Sequence, residues 1–189
     1  MRQYSVVVAD SNQSSRKNIS NLLMQRGLKT YQATDGGSVL RLVRTSSIDL
    51  AIIDVNLLGM NPFEVGDIIE DENLSTVVFM TNNPNVDLFE HMKTMKVYAY
   101  ITKPVNPNEL YHIVEFAIES ASKIDDLERK VKRLEDKLEG RKKVDRAKGI
   151  LMDRLKVQED DAYKILRKKS MDQCVSIEII AQKIIEKYS

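Results

Sequence analysis

Four polar residues stand where short apolar runs of the chain end. Asp10 closes YSVVVA, Asp54 closes LAII, Thr81 closes TVVFM and Lys103 closes AYIT. Two carboxylates, a hydroxyl and an ammonium converging on one strand edge suit the phosphorylation of an aspartate. One carboxylate attacks the phosphoryl group, a metal held by its neighbours neutralises the phosphoryl oxygens, and the lysine and threonine donate to them. Any one of the four alone reads as a capping or turn residue. Together, at successive strand ends, they read as a site.

Such residues meet only if neighbouring strands end at the same edge. Tyr4 to Ala9, Leu50 to Ile53, Thr76 to Met80 and Ala99 to Thr102 are β-branched or aromatic runs bounded by turn residues, and Lys29 to Ala33 is a weaker one, which gives five strands. Between them lie stretches with helical spacing: Ile19, Leu22, Leu23 and Arg26, then Val39 to Val43, Val65 to Ile69, Leu88 to Met95 and Leu110 to Ala117. Strict alternation of strand and helix predicts a doubly wound parallel sheet covered on both faces. In such sheets polar chemistry gathers at the carboxyl ends of the strands.

The strings VVVAD, IIDVNLLGM, VFMT and AYITKPV resemble the receiver domain of two-component response regulators over roughly residues 3 to 121. The resemblance implies a flavodoxin-like five-stranded fold, with Asp54 as the phosphoacceptor, Asp10 as the first residue of the acidic pocket, Thr81 as the switch hydroxyl, Tyr100 as the switch aromatic and Lys103 as the invariant lysine. It also implies a cis peptide before Pro104. The chain departs from the family at Ser11, where a second acid and direct metal ligand is usual. A hydroxyl is a poorer ligand than a carboxylate for a hard cation, so the site is expected to hold Mg2+ weakly, through Asp10 and Asp54 alone. Leu58, Asn61-Pro62 and Asn82 also differ from the usual pattern.

The rest of the chain has a different character. Residues 1 to 122 hold 10 Lys and Arg against 14 Asp and Glu, whereas residues 123 to 189 hold 19 against 14. The front is net acidic and the rear net basic, which suggests two jobs and a polyanion as one partner of the rear. Ile124, Leu127, Val131, Leu134 and Leu138 are spaced 3, 4, 3, 4 in a charge-dense run, which predicts a coiled coil over residues 122–140 that extends the last helix of a domain at 1–121. Beyond Gly140, three short helices are expected at Val144 to Leu155, Glu159 to Lys169 and Ser176 to Lys187, forming a small domain over 141–189 with one basic face. Arg141, Lys142, Lys143 and Arg146 lie at its entrance. RAKGILM, DDAYKILRKKSM and IEIIAQKII follow in order, and this string resembles the ANTAR domain, the RNA-binding output module of antitermination regulators. That resemblance places Ala147, Lys148, Gly149, Tyr163, Arg167, Ser170 and Met171 at signature positions. Arg146, Ala147, Lys148, Gly149, Arg167, Lys168 and Ser170 are the expected RNA-binding set, while helical spacing assigns Tyr163 and Met171 to the core.

Composition narrows the classes further. Of 189 residues 42% are hydrophobic and 30% charged, enough for a packed core and too mixed for disorder. The single cysteine, Cys174, forms no internal disulfide, and no run approaches the length of a membrane span, so a cytoplasmic protein is expected. No P-loop, catalytic triad or zinc motif points to an enzyme. The expected function is that of a response regulator that binds RNA stem-loops in nascent transcripts as an antiterminator, dimerises through the coiled coil and takes its input from a sensor histidine kinase. Two alternatives stand beside it: a phosphorylation-independent scaffold, and a DNA-binding regulator. The second is disfavoured because no helix-turn-helix follows a flexible linker.

Overall fold

The computed structural model describes residues 3–84, 86–96 and 99–188. Two compact units divide the chain, residues 1–125 and 126–189.

In the first unit five strands, β1 (Ser5–Ala9), β2 (Lys29–Ala33), β3 (Leu50–Asp54), β4 (Thr76–Thr81) and β5 (Tyr100–Thr102), form one parallel sheet in the order β2-β1-β3-β4-β5. This is the doubly wound order expected. The central strands β1, β3 and β4 are buried along their whole length, which explains why their sequences run as continuous apolar stretches. Alternation along each strand still sorts side chains to two faces. Val7, Ala9, Ala51, Ile53, Val77 and Phe79 pack against α2 (Gly36–Thr45), α3 (Pro62–Asp71) and α4 (Val86–Met92). Val6, Val8, Leu50, Ile52, Val78, Met80 and Ile101 pack against α1 (Gln13–Gln25) and the first turns of α5 (Pro107–Leu155).

Side chains close the helix starts that border the functional edge. Asn12 accepts from the Ser15 N–H at 3.0 Å and Asp35 accepts from the Ser38 N–H at 2.9 Å, each satisfying a donor that the helix cannot. At the opposite end of β4, Glu70 accepts from the backbone N–H groups of Val77 and Lys96 at 3.2 and 3.3 Å, upstream of the short β5. Burial pushes the Glu70 carboxyl above its ordinary value in spite of these two bonds.

The second unit departs from the expected segmentation. The coiled-coil segment and the expected helix at Val144 to Leu155 are one uninterrupted helix, α5, which is followed by α6 (Glu159–Asp172) and α7 (Ile177–Tyr188). Gly140 does not end a helix. It is buried, and a Cβ built there would lie 2.8 Å from the Glu178 Cγ, so the glycine is a slot in which α7 packs closely on α5. Val144, Ala147 and Leu151 of α5, Ala162 and Leu166 of α6, and Ile180, Ala181, Ile184 and Ile185 of α7 form the core. Tyr163 and Met171, expected in that core, are 45% and 68% exposed. The buried stripe of α6 runs through Ala162 and Leu166, one turn apart, and Tyr163 lies about 100° around the helix from it.

Candidate functional site

The carboxyl ends of β1 and β3 present Asp10 and Asp54, both buried, and Lys103 follows β5. The Lys103 Nζ donates to Asp10 Oδ2 at 2.8 Å and to Asp54 Oδ2. The other oxygen of each carboxylate accepts from the loop that follows its strand: Asp10 Oδ1 from the Asn12 N–H at 2.7 Å, Asp54 Oδ1 from the Asn56 N–H at 3.0 Å. Burial pushes the Asp10 carboxyl up, but hydrogen bonds from Lys103, Ser15 and the Asn12 backbone outweigh it and leave the group below its ordinary value. Burial likewise pushes the Lys103 ammonium down, and its bonds to Asp10 and Asp54 more than reverse this. Asp10 and Lys103 therefore stay charged together near neutral pH.

Thr81 ends β4 at the same edge, but its hydroxyl is engaged locally, donating to the Asn83 carbonyl at 3.2 Å and accepting from the Asn83 N–H at 3.1 Å. Tyr100 is half-buried and meets Phe89 edge to face at 5.7 Å. The peptide between Lys103 and Pro104 is cis. Ser11 has a role that its sequence position does not reveal. Its hydroxyl accepts from the Leu58 N–H at 3.0 Å and donates to the Thr34 carbonyl at 3.3 Å, tying the loops after β1, β2 and β3 together. Both the proton and a lone pair of this hydroxyl are in use. The residues present thus fit a hydrated Mg2+ in part: two carboxylates are available, and the third side chain is committed to the loops.

In the second unit the sequence-predicted residues separate into four groups. Ala147 is fully buried and belongs to the core. Ser170 donates to the Val175 carbonyl at 2.6 Å and shapes the turn after α6. Lys148 is bound to two carboxylates, Asp145 Oδ1 and Glu159 Oε1, each at 2.7 Å. Arg146, Gly149, Arg167 and Lys168 are exposed, and so is Tyr163. A Cβ placed on Gly149 would meet no atom within 4 Å, and the residue has no positive φ, so neither packing nor backbone geometry in this fold calls for a glycine there.

Residues 6–115 match the response regulator receiver domain, and residues 132–185 match the ANTAR domain. The chain belongs to the response regulators. Its architecture is shared by the transcriptional regulatory protein PdtaR of Mycobacterium tuberculosis, which is 28% identical over 182 residues, 96% of this chain and 89% of that protein. The aerobic respiration control protein ArcA of Escherichia coli is 25% identical over 107 residues, 56% of this chain and 44% of ArcA. Among solved structures, a CheY-like receiver from Methanospirillum hungatei superposes with a TM-score of 0.60 at 19% identity, covering 65% of this chain and 98% of that one, which shows the shared fold.

Both domains of this response regulator are regulatory rather than catalytic modules, and no described helix is long and apolar enough to cross a membrane. Receiver domains typically bind Mg2+ at the phosphorylation site. Reading the sequence missed two things. One is the Ser11 latch, for which a single sequence carries no signal, because its partners are backbone groups of distant loops. The other is the alignment of Lys142, noted at the entrance of the domain but left out of the expected RNA-binding set, with Arg146, from which it stands four residues away, exposed on the same helix. The helical repeat alone puts these two cations on one face.

Proposed function

We propose that this response regulator binds RNA stem-loops through its ANTAR domain and acts on nascent transcripts as an antiterminator. The observation that carries the reading is Gly149. A helical glycine costs about 1 kcal/mol relative to alanine, and this one stands on an exposed face beside Arg146 although nothing in the fold requires it. An exposed glycine beside cations permits close approach of a phosphate backbone. Tyr163 and Arg167, one turn apart on α6, add an aromatic face and a cation of the kind that engages unpaired bases and phosphates. Gel shift against hairpin RNA, single-stranded RNA and duplex DNA of equal length tests the reading. Hairpin RNA is expected to bind best, and equal affinity for all three would reduce it to unspecific polyelectrolyte binding. Gly149→Ala is expected to raise thermal stability while weakening the RNA complex, a split that a purely structural glycine would not produce.

The protein is proposed to act as a homodimer. Leu127, Val131, Leu134 and Leu138 are between 52% and 65% exposed on α5. With Ile124 and Val131 at the a positions and Leu127 and Leu134 at d, the seam has the composition that favours two parallel strands. In parallel register Lys123 and Lys130 at g face Glu128 and Glu135 at e of the second copy, whereas an antiparallel pair would set like charges together. Arg141 and Asp145 take the next seam positions, so the apolar run stops where the ANTAR core begins.

On the input side, a sensor kinase is proposed to phosphorylate Asp54, with Mg2+ held weakly by Asp10 and Asp54. The Ser11 latch favours a second reading, a receiver that works without phosphorylation as a dimer scaffold. Acetyl phosphate with Mg2+, read by intact mass, separates the two. Ser11→Asp restores a carboxylate and is expected to label faster than wild type, and Asp54→Ala must abolish the added mass. Equal labelling of wild type and Ser11→Asp would make the missing acid irrelevant. No labelling of either protein would favour the scaffold.

A further inference from the structure

Lys148 enters the RNA-binding set through its place in the motif, but its ammonium is spent elsewhere. The side chain is 16% exposed, and both of its short bonds go to carboxylates, one of them on Glu159, the first residue of α6. Hydrogen bonds to Asp145 and then to Glu159 raise the ammonium above its ordinary value, as the engagement of one cation by two carboxylates requires. Arg141 also lies 4.0 Å from Asp145, so the two cations and two carboxylates balance and the cluster offers a phosphate no excess positive charge. To reach RNA, Lys148 would have to leave both partners.

A different face of α5 is turned to solvent. Lys142, Arg146 and Gly149 are all exposed and follow one another at spacings of four and three, which aligns them along the helix. Lys148 lies about 120° around the helix from Lys142 at the ordinary helical repeat. The gap in side-chain cover at Gly149 continues the line of the two cations.

We propose that the phosphodiester backbone of RNA lies along Lys142, Arg146 and Gly149, with Lys142 as a phosphate contact, and that Lys148 is a positioning residue. Its clamp on Glu159 fixes the start of α6 against α5, and thereby the placement of Arg167 and Lys168. This rests on the RNA-binding reading and says which residues perform it.

The salt dependence of hairpin RNA affinity, measured on the full chain, tests the assignment. Removing one cation that touches a phosphate reduces the slope of log affinity against log salt by about 0.7 to 1. Lys142→Met is expected to lower the slope by that amount and leave thermal stability unchanged. Lys148→Met is expected to weaken binding several-fold with the slope unchanged, at temperatures where the chain is fully folded, and to lower thermal stability. Glu159→Gln is expected to weaken binding in the same way, and it carries the test should Lys148→Met fail to fold. If Lys148 were instead a phosphate ligand masked by Glu159, Glu159→Gln would strengthen binding. That result overturns the assignment, as does an unchanged slope in Lys142→Met or a reduced slope in Lys148→Met. A wild-type chain without hairpin affinity refutes the RNA-binding reading itself and the contacts with it.

Discussion

The receiver and the ANTAR unit of this chain use the same charged residue types under opposite conditions. At the receiver edge the side chains of Asp10, Asp54 and Lys103 are 1%, 7% and 14% exposed, and each is bonded to another member of the set. In the ANTAR unit Lys142, Arg146, Arg167 and Lys168 are exposed, and the partners of the shielded Lys148 are themselves 54% and 66% exposed. Desolvation governs the first set, so the three charges stand or fall together. Solvent and salt screen the exposed cations of the second, so each of them contributes little to stability. One chain thus separates a buried cluster of mutually bonded charges from a surface whose cations are open to solvent.

The largest expected effect breaks the buried set. Lys103→Met leaves two carboxylates facing each other without a cation, and removing one partner of a buried pair costs on the order of 3–5 kcal/mol. Urea unfolding at pH 7 measures the loss. The pH dependence has a defined sign. Asp10 is held below its ordinary value of 3.8, so its contribution is complete above that value and is lost as pH falls through the lower folded value. Lys103 is held above 10.5, so its contribution is complete below that value and is lost only as pH rises through the higher folded value. The difference between wild type and Lys103→Met is therefore expected to be largest between these limits and to shrink in acid. A difference that stays constant down to pH 2 would mean that the cluster is not what Lys103 supports. An equally large loss on removing Arg167 would erase the contrast between the two units.

Next in size is the seam. Leu134 is 65% exposed within the chain, so Leu134→Lys is expected to leave the fold of the single chain intact. In a parallel dimer the same change puts two lysines into the apolar interface and is expected to cost a few kcal/mol of association free energy. Sedimentation over a range of concentrations reads this directly. The same mass for wild type and variant at every concentration would remove the α5 dimer.

The contrast between the units also explains what the sequence revealed. The sheet and its edge were legible because strand burial forces continuous apolar runs, and the residue that ends each run is the residue at the edge. Asp10, Asp54 and Lys103 could be placed together from their positions alone. Ser11 could not, since its hydroxyl is engaged by Leu58 and Thr34, which are near it only in the folded chain. In the rear half the periodicity of α7 was legible, but Gly140 was misread as a helix end. Its meaning depends on Glu178, 38 positions later, which needs the space. Tyr163 and Met171 were misassigned because helical spacing with apolar neighbours fits more than one face of an amphipathic helix. Lys148 carried a motif position, and only the carboxylates on either side of it show that its charge is occupied.

The smallest expected effect sharpens the separation of the two units. Ser20 lies inside α1, is fully buried in the receiver core, and its hydroxyl is the one buried side-chain polar atom without a hydrogen-bond partner among the described residues. Leaving such a group unsatisfied costs about 1–3 kcal/mol, and alanine also favours the helix over serine by about half a kcal/mol. Removing the hydroxyl opens a space too small to offset this, because only one atom is lost. Ser20→Ala is therefore expected to stabilise the receiver by about 1 kcal/mol, visible as a rise of a few degrees in its thermal unfolding. The gain should be confined to the receiver. Under the proposed function, hairpin RNA affinity and its salt slope depend on exposed cations on α5 and α6 and should not move. A destabilised variant would show that the hydroxyl is satisfied within the core, and a shift in RNA affinity would show that receiver stability is coupled to the ANTAR face.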